Sequence, residues 1–316
     1  MRALVCNNHQ ISLHTLAALP EPREGEALLK IRQAGICNTD LELIAGMYGF
    51  SGIPGHEFVA EVEQGPPHLI GKRVVGEINI ACGGCDFCQR GIPSQCRNRR
   101  TVGIRQHPGA FADYLALTVQ NLHVIPDTVT DDQAVFIEPL AAALQVTELA
   151  HISPDNRIGV IGLGKLGLLI VQVLQLTGAD VIGITRRESQ KRLLDKWGIS
   201  AAAYAEIPAE SLHVVVDCTG QAQGFEDALR LIEPRGTLIL KSTYHDLPRA
   251  DLTQLVVREI NVIGSRCGPF ESAIRLLKQG LVDVTALIEA RYPFDSIIEA
   301  LERAAQPGAL KVLLDF

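Results

Sequence analysis

Four cysteines carry the most recognisable chemistry in the sequence. Cys82-Gly83-Gly84-Cys85-Asp86-Phe87-Cys88, followed by Cys96, brings four thiols into one loop. Zinc takes a tetrahedral shell of soft ligands, and four sulfurs leave no position for water or substrate, so such a centre organises structure. An iron–sulfur cluster uses the same ligand set, and four unligated cysteines are the plainest alternative. A second, dispersed set comprises Cys37, His56, Glu57 and, in Phe136-Ile137-Glu138-Pro139-Leu140, Glu138. A thiolate, an imidazole and one or two carboxylates can hold zinc while leaving a position open to an alcohol or water, which makes the ion a Lewis acid. Taken singly, a Cys reads as a small buried hydrophobe and a His as a hydrogen-bonded one. Their occurrence beside the quartet favours metal.

A third pattern is a glycine turn. Arg157-Ile158-Gly159-Val160-Ile161 reads as a strand running into Gly162-Leu163-Gly164-Lys165-Leu166-Gly167 and then a helix. Gly162 suits the tight turn, Gly164 the approach of a pyrophosphate and Gly167 close helix–strand packing, with amides of Leu163, Lys165 and Leu166 nearby at the helix start. A glycine pattern alone is weak, but between a strand and a helix it is strong. At the end of the next strand, Thr185-Arg186-Arg187 stands where an NAD site carries an acidic residue for the ribose 2′-hydroxyl. Two arginines offer charge-assisted donors to a 2′-phosphate. NADP is therefore expected to be preferred, with NAD possible because Arg also stacks on adenine. The alternative for both arginines is a solvated helix start.

These residues need two kinds of scaffold. Up to residue 125, short apolar runs such as 27–31, 58–62 and 73–76 are separated by Gly, Pro and charges, a pattern of antiparallel strands in a loop-rich domain. From 126 onward, Val- and Ile-rich strands at 157–162, 180–185, 212–218, 236–241 and 260–263 alternate with helical stretches at 165–176, 188–197, 223–232 and 252–259. Such alternation predicts an α/β region with a doubly wound parallel sheet. A terminal strand at 311–316 could return to the first domain. The expected division is 1–125 with 288–316, and 126–287.

Composition sets outer limits. The 316 residues are 47% hydrophobic and 21% charged, ordinary for a folded chain. The net charge of −7 disfavours nucleic acid and anionic lipid as partners, and a zinc-ribbon reader of nucleic acid would want a basic face around the quartet. No apolar run approaches the ~20 residues of a membrane span, and the polar start lacks a secretory core. A cytoplasmic location is expected.

The order Gly35-Ile36-Cys37-Asn38-Thr39-Asp40, Pro54-Gly55-His56-Glu57, the quartet, Gly109-Ala110-Phe111-Ala112-Asp113-Tyr114, Glu138-Pro139-Leu140 and the glycine turn resembles the zinc-dependent alcohol dehydrogenase branch of the medium-chain dehydrogenases and reductases. The likeness runs along nearly the whole chain and is nearest to the sorbitol, glucose and threonine dehydrogenase group. It implies a GroES-like catalytic domain beside a Rossmann domain, and two zinc ions per chain. One would be catalytic on Cys37 and His56, with Glu57 and Glu138 as direct or exchangeable carboxylate ligands, and one structural on the quartet. By the same resemblance Thr39 hydrogen-bonds the substrate oxygen and starts proton removal. Glu42 occupies the place of an outer relay histidine, so a carboxylate or bulk water takes the proton onward. Ala60 departs from the family's usual Gly. Met47, Tyr48 and Phe50 either line the pocket or pack. The implied activity is hydride transfer between a small alcohol, polyol or sugar and NADP, in a homodimer or homotetramer. The alternatives are an NAD-linked secondary-alcohol dehydrogenase and a non-catalytic NADP-binding zinc protein.

Overall fold

The computed structural model describes residues 1–243 and 247–316, and their packing forms two units, Met1–Glu138 with Phe270–Phe316, and Pro139–Pro269. The sequence texture changes at 126 and 288, whereas the packing boundaries fall at 138/139 and 269/270. The first shift has a visible cause. The short helix from Asp131 to Ala134 is tied into the first unit by Asp131, which accepts from Arg73 at 2.6 Å and from Arg32 at 2.8 Å.

In the first unit, β1 (Arg2–Asn7) and β2 (Gln10–Thr15) make an antiparallel hairpin. Strand β3 (Glu26–Gly35) leads through Cys37 into helix α1 (Asn38–Ile44), and β4 (Glu57–Gln64) begins directly after His56. Next come β5 (Arg73–Gly76), then β6 (Asn79–Ile80) and β7 (Arg100–Thr101), a short pair that brackets the cysteine loop with its helix α2 (Asp86–Gln89). Strands β8 (Tyr114–Thr118) and β9 (Leu122–Val124) precede the 131–134 helix, α3. The segment before β8 is held to the His56 loop, with Gly109 N–H donating to Ile53 O at 2.7 Å and Ala110 N–H to Gly55 O at 2.8 Å.

Helix α4 (Ile137–Leu149) leads into the second unit, where β10 (Arg157–Ile161), α5 (Lys165–Gln175), β11 (Asp180–Ile184), α6 (Glu188–Lys196), β12 (Ser200–Ala202), β13 (Leu212–Asp217), α7 (Ala222–Leu231), β14 (Ile232–Leu240), α8 (Leu252–Val257) and β15 (Asn261–Gly264) alternate. All pairings are parallel, in the order β12-β11-β10-β13-β14-β15. That order, 3-2-1-4-5-6 by position, is the dinucleotide-binding arrangement, with its switch point between β10 and β13. Branched residues fill the strands because both faces are covered: Ile184, Leu212, Val215 and Leu238 pack with Phe225 and Leu231 of α7. Strand β14 starts four residues before the expected 236. Strand β12 was not foreseen, since Ser-Ala-Ala carries little strand propensity of its own.

The chain then re-enters the first unit with α9 (Phe270–Lys278), β16 (Ile288–Pro293), α10 (Ile297–Ala304) and β17 (Lys311–Asp315). Helix α10 buries Ile297, Ala300, Leu301 and Ala304, the i, i+3, i+4, i+7 spacing of one helix face. Strand β17 pairs in parallel with β16 and antiparallel with β3, completing the sheet β16-β17-β3-β4-β5-β9, in which β8 also joins β3.

Candidate functional site

Cys37 is the residue immediately before α1, in extended conformation, and Asp40 is the third residue of that helix. The Asp40 carboxylate turns back on the helix start. Its Oδ2 accepts the Cys37 N–H at 2.9 Å, while Oδ1 accepts Gly55 N–H at 3.2 Å and meets His56 Nδ1 at 2.9 Å. Asp40 is 0% exposed and His56 4%. One buried carboxylate therefore fixes both metal-ligand candidates, and by engaging Nδ1 it leaves His56 Nε2 as the nitrogen for a metal. Carboxylate–imidazole–metal relays of this kind set tautomer and ring orientation. Burial pulls the His56 pKa down, but the charges of Asp40 and Cys37 outweigh it and hold the imidazole well above its usual value.

Cys37, His56 and Glu57 offer ligand atoms that all lie within 4.8 Å of one another. A thiolate, an imidazole and a carboxylate so grouped fit zinc with room for a fourth, exchangeable ligand. Glu138, in the first turn of α4, lies outside that trio. Thr39 and Glu42 are half-buried on α1. Tyr48 is 78% exposed in a left-handed conformation, φ 58°, within the turn Met47–Gly49, and Phe50 follows half-buried.

Asp40 belongs to the Cys37–Asp40 stretch singled out in the sequence, but its part as the anchor of Cys37 and His56 was not read there, although the capping-box spacing from Cys37 carried a local signal; Lys311 was missed, and carried no signal. Lys311 lies in β17, 1% exposed, and its ammonium donates to Glu57 Oε2. Burial acts against the ammonium, but the charges of Glu57, Cys37 and, least of the three, Glu138 raise its pKa. Gly35 makes space for this pair. A Cβ there would stand 2.7 Å from Glu57 Oε2 and 2.8 Å from Val135 Cγ1.

The four loop cysteines also converge within 4.8 Å. Cys85 Sγ lies 3.5 Å from Cys88 Sγ and 3.8 Å from Cys96 Sγ. Sulfurs at ~2.3 Å around a tetrahedral zinc are about 3.8 Å apart, so the spacing suits the ion and is too long for disulfides. Backbone amides of Arg97 and Cys88 hold the Cys85 thiol down to about 6, while burial and the neighbouring thiols push Cys88 up to about 12, so without a cation the four sulfurs do not share the charge evenly. Arg97 closes the loop on Asp86 at 2.6 and 2.8 Å and lies 4.7 Å over the Phe87 ring.

In the second unit, Gly162 adopts φ +87°, and a Cβ on Gly167 would stand 2.2 Å from Gly162 O. A Cβ on Gly164 would meet nothing within 4 Å, so open space lies over the turn between Leu163 and the start of α5 at Lys165 and Leu166. The arrangement fits a pyrophosphate. Thr185, 8% exposed, follows β11. Its hydroxyl donates to Gln190 and accepts Arg187 N–H at 3.0 Å, while Gln190 Nε2 donates to Leu163 O at 2.5 Å. Thr185 is thus a strut to the glycine turn, and the exposed Arg186 and Arg187 are what the strand end presents outward.

Comparison with known proteins gives the same picture. Residues 23–127 match the alcohol dehydrogenase GroES-like domain and residues 166–279 the zinc-binding dehydrogenase family. The chain is 28% identical to D-arabitol-phosphate dehydrogenase of Enterococcus avium, over 94% of this chain and 92% of that one. It is 27% identical to sorbitol dehydrogenase of Halalkalibacterium halodurans, over 99% of both. A crystal structure from Sinorhizobium meliloti 1021, described as a zinc-binding dehydrogenase bound to NADP, superposes with a TM-score of 0.92 at 28% identity, covering 100% of this chain and 99% of that one.

Proposed function

Because the chain belongs to the zinc-binding medium-chain dehydrogenase and reductase superfamily, we propose that it is a zinc-dependent dehydrogenase that moves a hydride between the carbinol carbon of a small polyol, sugar or alcohol and NADP. The convergence of Cys37, His56 and Glu57, with Asp40 locked behind His56, carries this reading. Relatives named for arabitol phosphate, arabinitol, sorbitol and erythritol or threitol support the polyol class.

Zinc bound there would polarise the substrate oxygen, and the nicotinamide would take the hydride. The chain's own residues do the rest. Asp40 keeps the His56 ring in one orientation. Thr39, two residues after Cys37, accepts the hydroxyl proton of the alcohol, and Glu42 or bulk water takes it onward. Lys311 neutralises Glu57 and steadies it beside the other two ligands, with Glu138 as an exchangeable carboxylate. Cys82, Cys85, Cys88 and Cys96 hold a second, structural zinc, and a cytoplasmic location, where thiols stay reduced, suits such a ligand set.

The test is a set of initial rates by nicotinamide absorbance, with sorbitol, arabitol, erythritol and their phosphates against both cofactors. NADP is expected to serve better than NAD. Arg186→Ala with Arg187→Ala is expected to lower kcat/KM for NADP about tenfold or more, leaving NAD little changed, since each charge-assisted bond to a phosphate contributes ~1.5 kcal/mol or more. A wild-type preference for NAD would overturn the NADP assignment, and no turnover with any alcohol or carbonyl would overturn the reaction.

A homodimer is also proposed. Strand β15 is an edge of the second sheet, and beside it Val256 and Val257 of α8 are 76% and 74% exposed, with Val262 of the strand at 42%. An apolar, unprotected edge is a surface for pairing, and two copies meeting there about a two-fold axis close the assembly. Light scattering is expected to give twice the 34.2 kDa chain mass, or a multiple of it. Val257→Lys with Val262→Lys is expected to shift the population toward monomer, whereas a monomeric wild type would refute the proposal.

A further inference from the structure

Lys241 stands one residue beyond the C-terminal end of β14. Its ammonium donates to Ala142 O in α4 at 2.6 Å and to Ser265 Oγ, just past β15, at 3.1 Å. The backbone at both ends extends the sheet ladder, with Lys241 N–H on Asp217 O and Ser265 N–H on Leu240 O, each at 2.9 Å. Loop and helix meet closely here, since a Cβ on Gly268 would stand 1.8 Å from Ala141 O. The charged head of Lys241 is therefore fixed by α4 and the β15 loop at the carboxyl edge of the sheet.

That edge is where a doubly wound sheet binds its ligand, one mononucleotide half on each side of the switch point. The phosphate turn follows β10, and Thr185, Arg186 and Arg187 follow β11, which assigns the adenosine half to that side. The ends of β13, β14 and β15 are left for the nicotinamide half, on the reading that this protein uses a nicotinamide dinucleotide. The oxidised nicotinamide ring carries a positive charge that the reduced ring lacks. A fixed cation on that side raises the potential felt by the ring, and it does so whatever other charges surround it.

We propose that Lys241 makes the nicotinamide subsite discriminate between oxidation states, weakening the oxidised cofactor relative to the reduced one. Relative to a site without that charge, and against the opposite pull of the buried Asp217 at the end of β13, Lys241 biases the site toward the reduced cofactor and so toward carbonyl reduction.

Calorimetric titration of the zinc-loaded protein tests this with the oxidised and reduced forms of NADP and of NAD, and with 2′,5′-ADP as an adenosine-half probe. Lys241→Gln keeps an N–H donor but removes the charge, Lys241→Met removes both, and Lys241→Arg keeps both. The ratio of oxidised to reduced dissociation constants is expected to fall about tenfold in the Gln and Met variants, as for two charges ~12 Å apart at an effective dielectric of ~20. The Arg variant should hold the wild-type ratio, and 2′,5′-ADP should bind all four proteins alike. An unchanged ratio in the Gln and Met variants, or parallel weakening of both oxidation states, would overturn the proposal and leave Lys241 as a structural tie. If neither cofactor nor 2′,5′-ADP binds the wild type, the dinucleotide reading fails and this inference with it.

Discussion

Lys311→Met is expected to destabilise the protein by about 3–5 kcal/mol and to lower Tm by about 10 °C. Lys311 and Glu57 are each 1% exposed. Methionine keeps most of the stem volume, and Lys311 lies with its Nζ 5.7 Å over the Phe136 ring, so packing would be largely retained. What is lost is the counter-charge to a carboxylate that has no water to turn to. Breaking a buried pair by removing one partner costs far more than replacing both, so Lys311→Met with Glu57→Gln should recover most of the loss. Urea unfolding of the variants after chelation of metal, so that Glu57 has Lys311 alone as its counter-charge, measures this. A single variant as stable as wild type, or a double variant no better than the single, would contradict the assignment of Lys311 as the neutralising partner.

Cys37→Ser with His56→Ala should reduce bound zinc from two ions per chain to one and lower kcat/KM by about a thousandfold or more, because Lewis-acid stabilisation of the reacting oxygen amounts to several kcal/mol. The remaining ion is expected on the quartet, and Cys85→Ser should remove that one instead, with a loss of thermal stability. Elemental analysis of gently purified protein separates the two cases. A zinc count unaffected by the double substitution would mean that the metal at issue is not held by Cys37 and His56.

The elements that follow local rules were legible in the sequence. Alternation of Val-rich strands with helices, and glycines spaced for one turn, are written in consecutive residues, and the second sheet follows them closely. The quartet was legible for the same reason, as three of its ligands span seven residues. The dispersed set was visible as residue types, but not its geometry: the grouping of Glu57 with Cys37 and His56 follows from the register of β3 on β4, which sets Glu57 opposite Gly35. Lys311 was invisible, since its partner is 254 residues away and a lysine in a short terminal strand ordinarily faces solvent. Strand β12 was missed because its place on the sheet edge, rather than its composition, makes it a strand. Thr185 was read as a cofactor contact, and the ties of its hydroxyl to Gln190 and to the backbone of Arg187 are an added feature that the strand-end sequence did not announce.

The pairing of β17 with β3 bears on the order in which the molecule can assemble during synthesis. The second unit is one continuous stretch, 139–269, and everything its sheet needs has left the ribosome together. The first unit cannot finish then. Its sheet lacks β17, and Glu57 lacks Lys311, until some 250 further residues have been made. During that interval an acidic side chain destined for burial waits without its counter-charge. Newly made chains should therefore protect the nucleotide-binding half from proteolysis before the metal-binding half, an ordering set by strand connectivity and not by which unit comes first in the sequence.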